Sequence, residues 1–217
     1  LSDPYTSKSL RIAEDLLLDV SLPSSNTVVC TDNIGFAHLV DLSTGSQVAK
    51  WKAHSLPYSN IGCEVWTCAL HCTLVCTGGD DASVKIWDIR NHSAVQQQSG
   101  FNAGVTFVDW KDDNTIVTGS YDQKIRVFDV RFLQKPFKVL ETLGGVWHVE
   151  DCERYHTRTK FYLAACMYGG WSLFDHNFEH IMTDHVSGDQ LLYGVTIING
   201  AVVYTTFNDF MVSVATL

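Results

Sequence analysis

Basic residues are scarce in this chain. Its 217 residues hold 15 Lys and Arg against 24 Asp and Glu, a net charge of −9 with His neutral. Binding to a phosphate backbone or an anionic lipid surface needs clustered Lys and Arg, so the balance argues against nucleic acid and membrane as partners. Long apolar runs are missing as well; none approaches the about 20 residues that a helix needs to span a bilayer. No basic start leads into an apolar core, and the expectation is a chain without a signal peptide. The seven Cys are unevenly spaced, which reads as reduced thiols in a cytoplasmic protein rather than a disulfide framework. The sequon at Asn91–Ser93 then carries no weight.

Standard catalytic signatures are also absent. There is no G-x-S-x-G elbow, because "GWSLF" at 170–174 lacks the second glycine. Neither a P-loop nor a dinucleotide-binding glycine pattern occurs, and no cofactor is expected. Cys63, Cys68, Cys72 and Cys76 cluster with His71, separated by four, three and three residues. A strand would throw those thiols to opposite faces, so no metal site is expected there.

What the chain does contain is repetition. "TGGDDASVKIWDIR" at 77–90 returns as "TGSYDQKIRVFDVR" at 118–131, so that Asp88 and Asp129 stand 41 residues apart. Weaker copies place Asp41 47 residues before Asp88, and Asp175 46 residues after Asp129. A last copy, "TFNDFMVSVATL", carries Asp209 in the position of Asp81 and Asp122. A second series, "CEVWTCAL", "AGVTFVDW", "GGVWHVED" and "YGVTIING", runs out of phase with the first. Branched and aromatic runs punctuated by Gly, Asp and Asn predict strands. The one helix expected is around "SLRIAEDLLLDV" at 9–20, part of which must supply the first inner strand. Four strands per ~40–45 residues, repeated, predict an all-β propeller with WD-type blades. The expected units fall near 10–54, 55–100, 101–142, 143–185 and 186–217, within a single domain.

Ordered motifs narrow this further. "WKAH" (51–54), "GGDD" (78–81) before "SVKIWDIR", "TGSYD" (118–122), "GGVW" (144–147), "LAACM" (163–167), "LYG" (192–194) and the closing "TTFND" follow one another at characteristic distances. From about Trp51 to the end, the chain resembles the WD-repeat diphthine methylesterases of diphthamide biosynthesis. The resemblance implies a ring of seven blades, of which five units are counted. Roughly two N-terminal blades are then missing, and the expectation for a sequence that begins at Leu1 rather than at Met is either a fragment or a smaller, divergent member. It also implies hydrolysis of the methyl ester of diphthine, with translation elongation factor two as the protein partner. Such a propeller could alternatively be a non-catalytic platform for other proteins, as many are.

Ester hydrolysis needs a nucleophile or activated water, a proton acceptor and donors for the oxyanion. His54 and His148 are the candidate bases and Cys166 the candidate nucleophile. Cys166 takes the place of Gly79 and Ser120, and Tyr168 the place of the turn aspartate, in the copy that has drifted most. His54 closes "WKAH", where WD repeats carry the His of a buried Ser/Thr–His–Asp network, so a structural role stands beside the catalytic one. Asp81, Asp122 and Asp209 are read as turn residues that accept bonds from nearby backbone amides. Trp66, Trp147 and Tyr193 are candidate walls of a substrate pocket at the channel mouth, suited to the trimethylammonium of diphthine.

Overall fold

Successive residues of a strand point to opposite faces of its sheet, and here both faces are mostly covered. In the strand Leu74–Gly79, Val75 packs to one side with Trp51 and Val65, and Cys76 to the other with Ile116 and Phe128. That double burial is why the strands read as near-continuous apolar runs rather than clean alternation. The computed structural model describes residues 9–21, 26–152 and 161–217.

Among the described residues nineteen strands form five antiparallel sheets, each with its strands neighbouring in sequence order. The first contains β1 (Leu17–Ser21), β2 (Thr27–Asp32), β3 (Phe36–Asp41) and β4 (Ser46–Lys52). The second contains β5 (Thr67–His71), β6 (Leu74–Gly79), β7 (Ser83–Asp88) and β8 (Ser93–Gln98). The third is β9 (Val105–Asp112), β10 (Thr115–Ser120), β11 (Lys124–Asp129) and β12 (Lys138–Glu141). The fourth is β13 (His148–Asp151), β14 (Phe161–Ala165), β15 (Trp171–Asp175) and β16 (His180–Asp184). The fifth has three strands rather than four: β17 (Leu192–Ile198), β18 (Ala201–Thr206) and β19 (Val212–Thr216). Neighbouring sheets pack face to face, as in a propeller, and an apolar cluster fills each of the four interfaces.

The expected helix does not form. Residues 9–16 are irregular, and Leu17–Ser21 pairs with β2, Val20 opposite Cys30. Arg11 and Glu14 do make the ion pair that a helix would favour, but both are exposed, where such a pair contributes little. The ladder to β2 and two tertiary bonds win instead: Asp19 accepts the amide of Cys68 and Ser21 that of Leu70, each at 2.8 Å. Among the described residues no helix is long and apolar enough to cross a membrane.

The repeated aspartates divide the work of the turns. At each WD-strand end, Asp41, Asp88, Asp129 and Asp175 accept the backbone amide two residues on, at 2.8 to 2.9 Å. The other series behaves differently from expectation, because its partners are largely side chains. Asp122 grips Arg126 through both guanidinium nitrogens, at 3.0 and 2.7 Å, besides the amide of Asn102. Asp209 takes the hydroxyl of Thr206 and the amide of Met211.

Candidate functional site

His54 is the first candidate to locate. Its Nδ1 lies 2.8 Å from Asp81 Oδ1, and its Nε2 lies 2.8 Å from the hydroxyl of Thr77. Thr77 also receives the indole N–H of Trp87 at 2.9 Å, and Ser83 donates to Asp81 at 2.7 Å. Both ring nitrogens are therefore engaged, and the side chain is fully buried. Burial lowers the pKa of His54, outweighing the bond to Asp81 that would raise it. Burial would raise that of Asp81, yet the bonds from His54 and Ser83 hold it at about 2. The result is a neutral imidazole and an ionised carboxylate locked between two sheets; neither lines the aromatic-walled cavity, and Asp81 lines a separate surface pocket with Ser83 and Lys85.

Cys166 is also remote. It is fully buried beside Val146 and Phe174, with its thiol donating to the carbonyl of Ala164. Burial pushes its pKa up to about 12. A side chain on Gly144 would lie 2.1 Å from the carbonyl oxygen of Cys166 and 2.5 Å from the amide of Gly169. The loop before β13 thus presses directly on the turn "CMYGG", which must stay small, while Tyr168 points outward and is exposed. The cysteine cluster does not converge either: Cys63, Cys68 and Cys76 are buried and Cys72 is exposed. Among the described residues no three His, Cys, Asp or Glu side chains are grouped as metal ligands.

Three predicted residues do come together. Trp66 ends the run-in to β5, Trp147 the run-in to β13, and Tyr193 lies at the start of β17, so each stands at the same end of an inner strand. The rings of Trp147 and Tyr193 are 4.7 Å apart, and those of Trp66 and Trp147 are 5.8 Å apart, edge to face. Two more aromatics complete the cage. Tyr121 contacts both Trp66 and Trp147 at 6.3 and 6.2 Å, and Phe207 meets Tyr193 at 5.6 Å. A carboxylate is built into it: Asp80 accepts the indole N–H of Trp66 at 3.2 Å. Gly104 leaves room for that carboxylate, since a Cβ there would lie 2.7 Å from Asp80 Oδ1. Burial raises the pKa of Tyr121 to about 12, with the charges of Asp80 and Glu64 adding to the effect.

Below the cage opens a cavity of about 820 Å³ between the inner strands β1, β5 and β9. Trp66, Trp147, His148 and Tyr193 line it together. His148 is the first residue of β13 and touches Phe107 edge-on at 5.3 Å. It is open to the water of the cavity yet ringed by protein, and this desolvation lowers its pKa, partly offset by the charge of Asp19. Among the described residues nothing hydrogen-bonds its ring. Asp19 lines the same cavity and is held by the amides of Val20 and Cys68, both at 2.8 Å. The hydroxyls that line it are already bonded: Ser21 to Leu70 N, Thr67 to Val108 N, and Thr106 to Val146 O. One histidine on a wet wall beside an aromatic cage can activate water next to a bound cation.

Asp19, Asp80, Tyr121 and Phe207 were not among the residues that the sequence singled out. Asp80 and Tyr121 occupy one register position, the residue just before the turn aspartates Asp81 and Asp122. That position varies while its neighbour repeats, and this variation was the available signal. The comparisons now bear on the site. A family model described as "WD domain, G-beta repeat" matches residues 45–88 and 93–129. The "Diphthine methyltransferase homolog" of Dictyostelium discoideum is 30% identical over 201 residues, covering 81% of this chain and 52% of the relative. The human "Diphthine methyltransferase" is 27% identical, covering 77% of this chain and 38% of the relative.

This chain is a WD-repeat protein of the diphthine methyltransferase family. It spans about half the length of the curated relatives that it matches, or less. A chain of the crystal structure titled "Mitotic Checkpoint Complex" superimposes with a TM-score of 0.72 at 12% identity, over 88% of this chain and 58% of that one. At that identity the likeness concerns the fold. Trp66, Tyr121, Trp147, Tyr193 and Asp80 gather in this chain at one end of the inner strands, beside His148.

Proposed function

We propose that this chain acts in diphthamide biosynthesis by hydrolysing the methyl ester of diphthine on translation elongation factor two. The observation that carries this reading is a cluster of aromatic rings and an accessible histidine on one cavity, in a relative of proteins named for diphthine and a methyl group. Diphthine bears a permanent trimethylammonium, which aromatic faces attract, by ~0.5–2 kcal/mol for each well-placed ring. Held there by Trp66, Trp147 and Tyr193, the substrate would present its ester toward His148. The neutral imidazole, favoured by desolvation, takes a proton from water as that water attacks the ester carbonyl. The proton then passes to the departing methoxide, giving methanol and a carboxylic acid, which releases its own proton to solvent to become the carboxylate. His54 and Cys166 have no part in this scheme: one is spent on the buried network and the other is a buried thiol. The reaction requires no cofactor, and its compartment is the cytoplasm.

A second reading, a non-catalytic platform for protein partners, is favoured by the loop between β4 and β5, where Tyr58 and Ile61 are exposed. One assay separates them. The protein, together with its longest natural form, is incubated with elongation factor carrying methylated diphthine, and mass spectrometry follows loss of the methyl ester. Conversion to the acid supports the esterase; unchanged mass leaves the platform.

A further inference from the structure

We infer that Asp80, backed by Glu64, makes the cage selective for net positive charge, so that it holds a trimethylammonium ester and rejects the trimethylammonium carboxylate that hydrolysis leaves. The inference rests on the esterase reading for its biological meaning, but not for its test.

Three observations support it. The carboxylate belongs to the cage wall itself, because Asp80 is bonded to the Trp66 indole and seated in the space that Gly104 leaves open. Glu64 is tied to the same place: its carbonyl accepts the amide of Asp80 at 2.9 Å. The charges of both carboxylates reach Tyr121 on the inner side. Finally, the cation–π contacts among the described residues fall on Phe36, Phe101, Tyr162 and Phe178. No protein cation from that set covers Trp66, Tyr121, Trp147 or Tyr193, so no protein cation neutralises the charge beside these rings through a cation–π contact.

The consequence follows from charge alone. An ester next to a trimethylammonium carries +1 and is attracted by rings and carboxylates together. Its acid keeps the ammonium but adds a negative charge that Asp80 and Glu64 repel. The rings bind both forms, whereas the carboxylates distinguish them. Product leaves because it has lost its net charge, and no movement of the cage is needed.

Glycine betaine and its amide provide the test. Both carry the same trimethylammonium, they differ in the charge of the carboxyl group, and neither depends on turnover. Binding to the whole chain is followed by quenching of Trp fluorescence. The amide is expected to bind about fivefold or more tightly than betaine, the effect of unit charges a few ångström apart in a wet site. Asp80→Asn preserves the acceptor for Trp66 and should bring that ratio close to one. Glu64→Gln should lower the ratio in part, and serves in place of Asp80→Asn should the latter not fold by circular dichroism. Equal binding of the two ligands by the unmodified protein, no binding of either, or a ratio unchanged in the variants would overturn the inference. A charge preference without ester hydrolysis in the elongation-factor assay would instead retain it and sink the esterase.

Discussion

Nδ1 of His54 and Oδ1 of Asp81 lie 2.8 Å apart and join the end of the first sheet to the turn between β6 and β7. The pair is buried, and Thr77, Ser83 and Trp87 complete its hydrogen bonds. Removing one member strands the others in a site closed to water. His54→Ala or Asp81→Ala should cost about 2–4 kcal/mol of stability, read from urea unfolding. The activity of whatever remains folded should be unchanged. A folded His54→Ala protein with normal stability and no esterase activity would return His54 to the mechanism.

The same pair shapes stability against pH. The pKa of His54 is lowered in the folded state, so below about 6.5, the ordinary histidine value, the unfolded chain takes up a proton that the folded one resists. Stability therefore declines as pH falls below that point. Asp81, held at about 2 when folded, adds a second loss between about 3.9 and 2. Thermal melting should show a higher Tm at pH 7 than at pH 5. His54→Gln should flatten that first decline and shrink the second without abolishing it, since Ser83 still bonds Asp81.

Thiol chemistry should single out one cysteine of the seven. Cys72 is exposed and the other six are buried. Burial raises Cys63 to about 11 and Cys152 and Cys166 to about 12. Iodoacetamide at neutral pH should give one adduct, located on Cys72 by peptide mass spectrometry. Rapid labelling of Cys166 in the folded protein would show that the fourth sheet opens.

The proposed base has its own signature. His148→Gln should lower ester hydrolysis by at least ~100-fold, the usual scale for loss of a general base, with binding of tetramethylammonium retained. Since desolvation lowers the His148 pKa and Asp19 partly restores it, the rate should be flat above about pH 6.5 and fall in acid. Asp19→Asn should move that acid limb to still lower pH. A profile that Asp19→Asn leaves unmoved would separate the two residues.

The cage should behave as a unit. Trp147 touches Trp66, Tyr121 and Tyr193, so Trp147→Ala removes one wall and loosens three others. Affinity for tetramethylammonium, measured by calorimetry, should drop about tenfold. Tyr168→Ala, at an exposed ring of the neighbouring turn, should have no effect.

Much of this architecture was legible in the chain. Repeating aspartates marked the strand ends, and inner strands were recognisable from a second series out of phase with the first. The mistaken helix near 9–20 shows where that reading gave way. "SLRIAEDLLLDV" has no repeat partner clear enough to overrule local propensity, while the bonds from Asp19 and Ser21 to β5 reach 49 residues along the chain. Trp147 stood out because it breaks the pattern of the inner strands, Tyr193 because it falls in a motif of the family resembled, and Trp66 because it is an aromatic on an inner strand. Cys166 broke its pattern too, yet its side chain is fully buried, which no linear comparison exposes.

Local periodicity thus established the five sheets, their turns and the buried scaffold, because strand alternation and turn chemistry act over a few residues. Which polar groups face water was decided only by the packing of sheet upon sheet. His54 and His148 both follow a short Trp-containing run, yet one is enclosed between two sheets and the other lines a cavity of about 820 Å³. Asp19 and His148 share that cavity from opposite parts of the sequence. A strand's pattern tells which side of its sheet a residue takes, but the neighbour on that side, core or channel, is set by the rotation of whole sheets about a common centre.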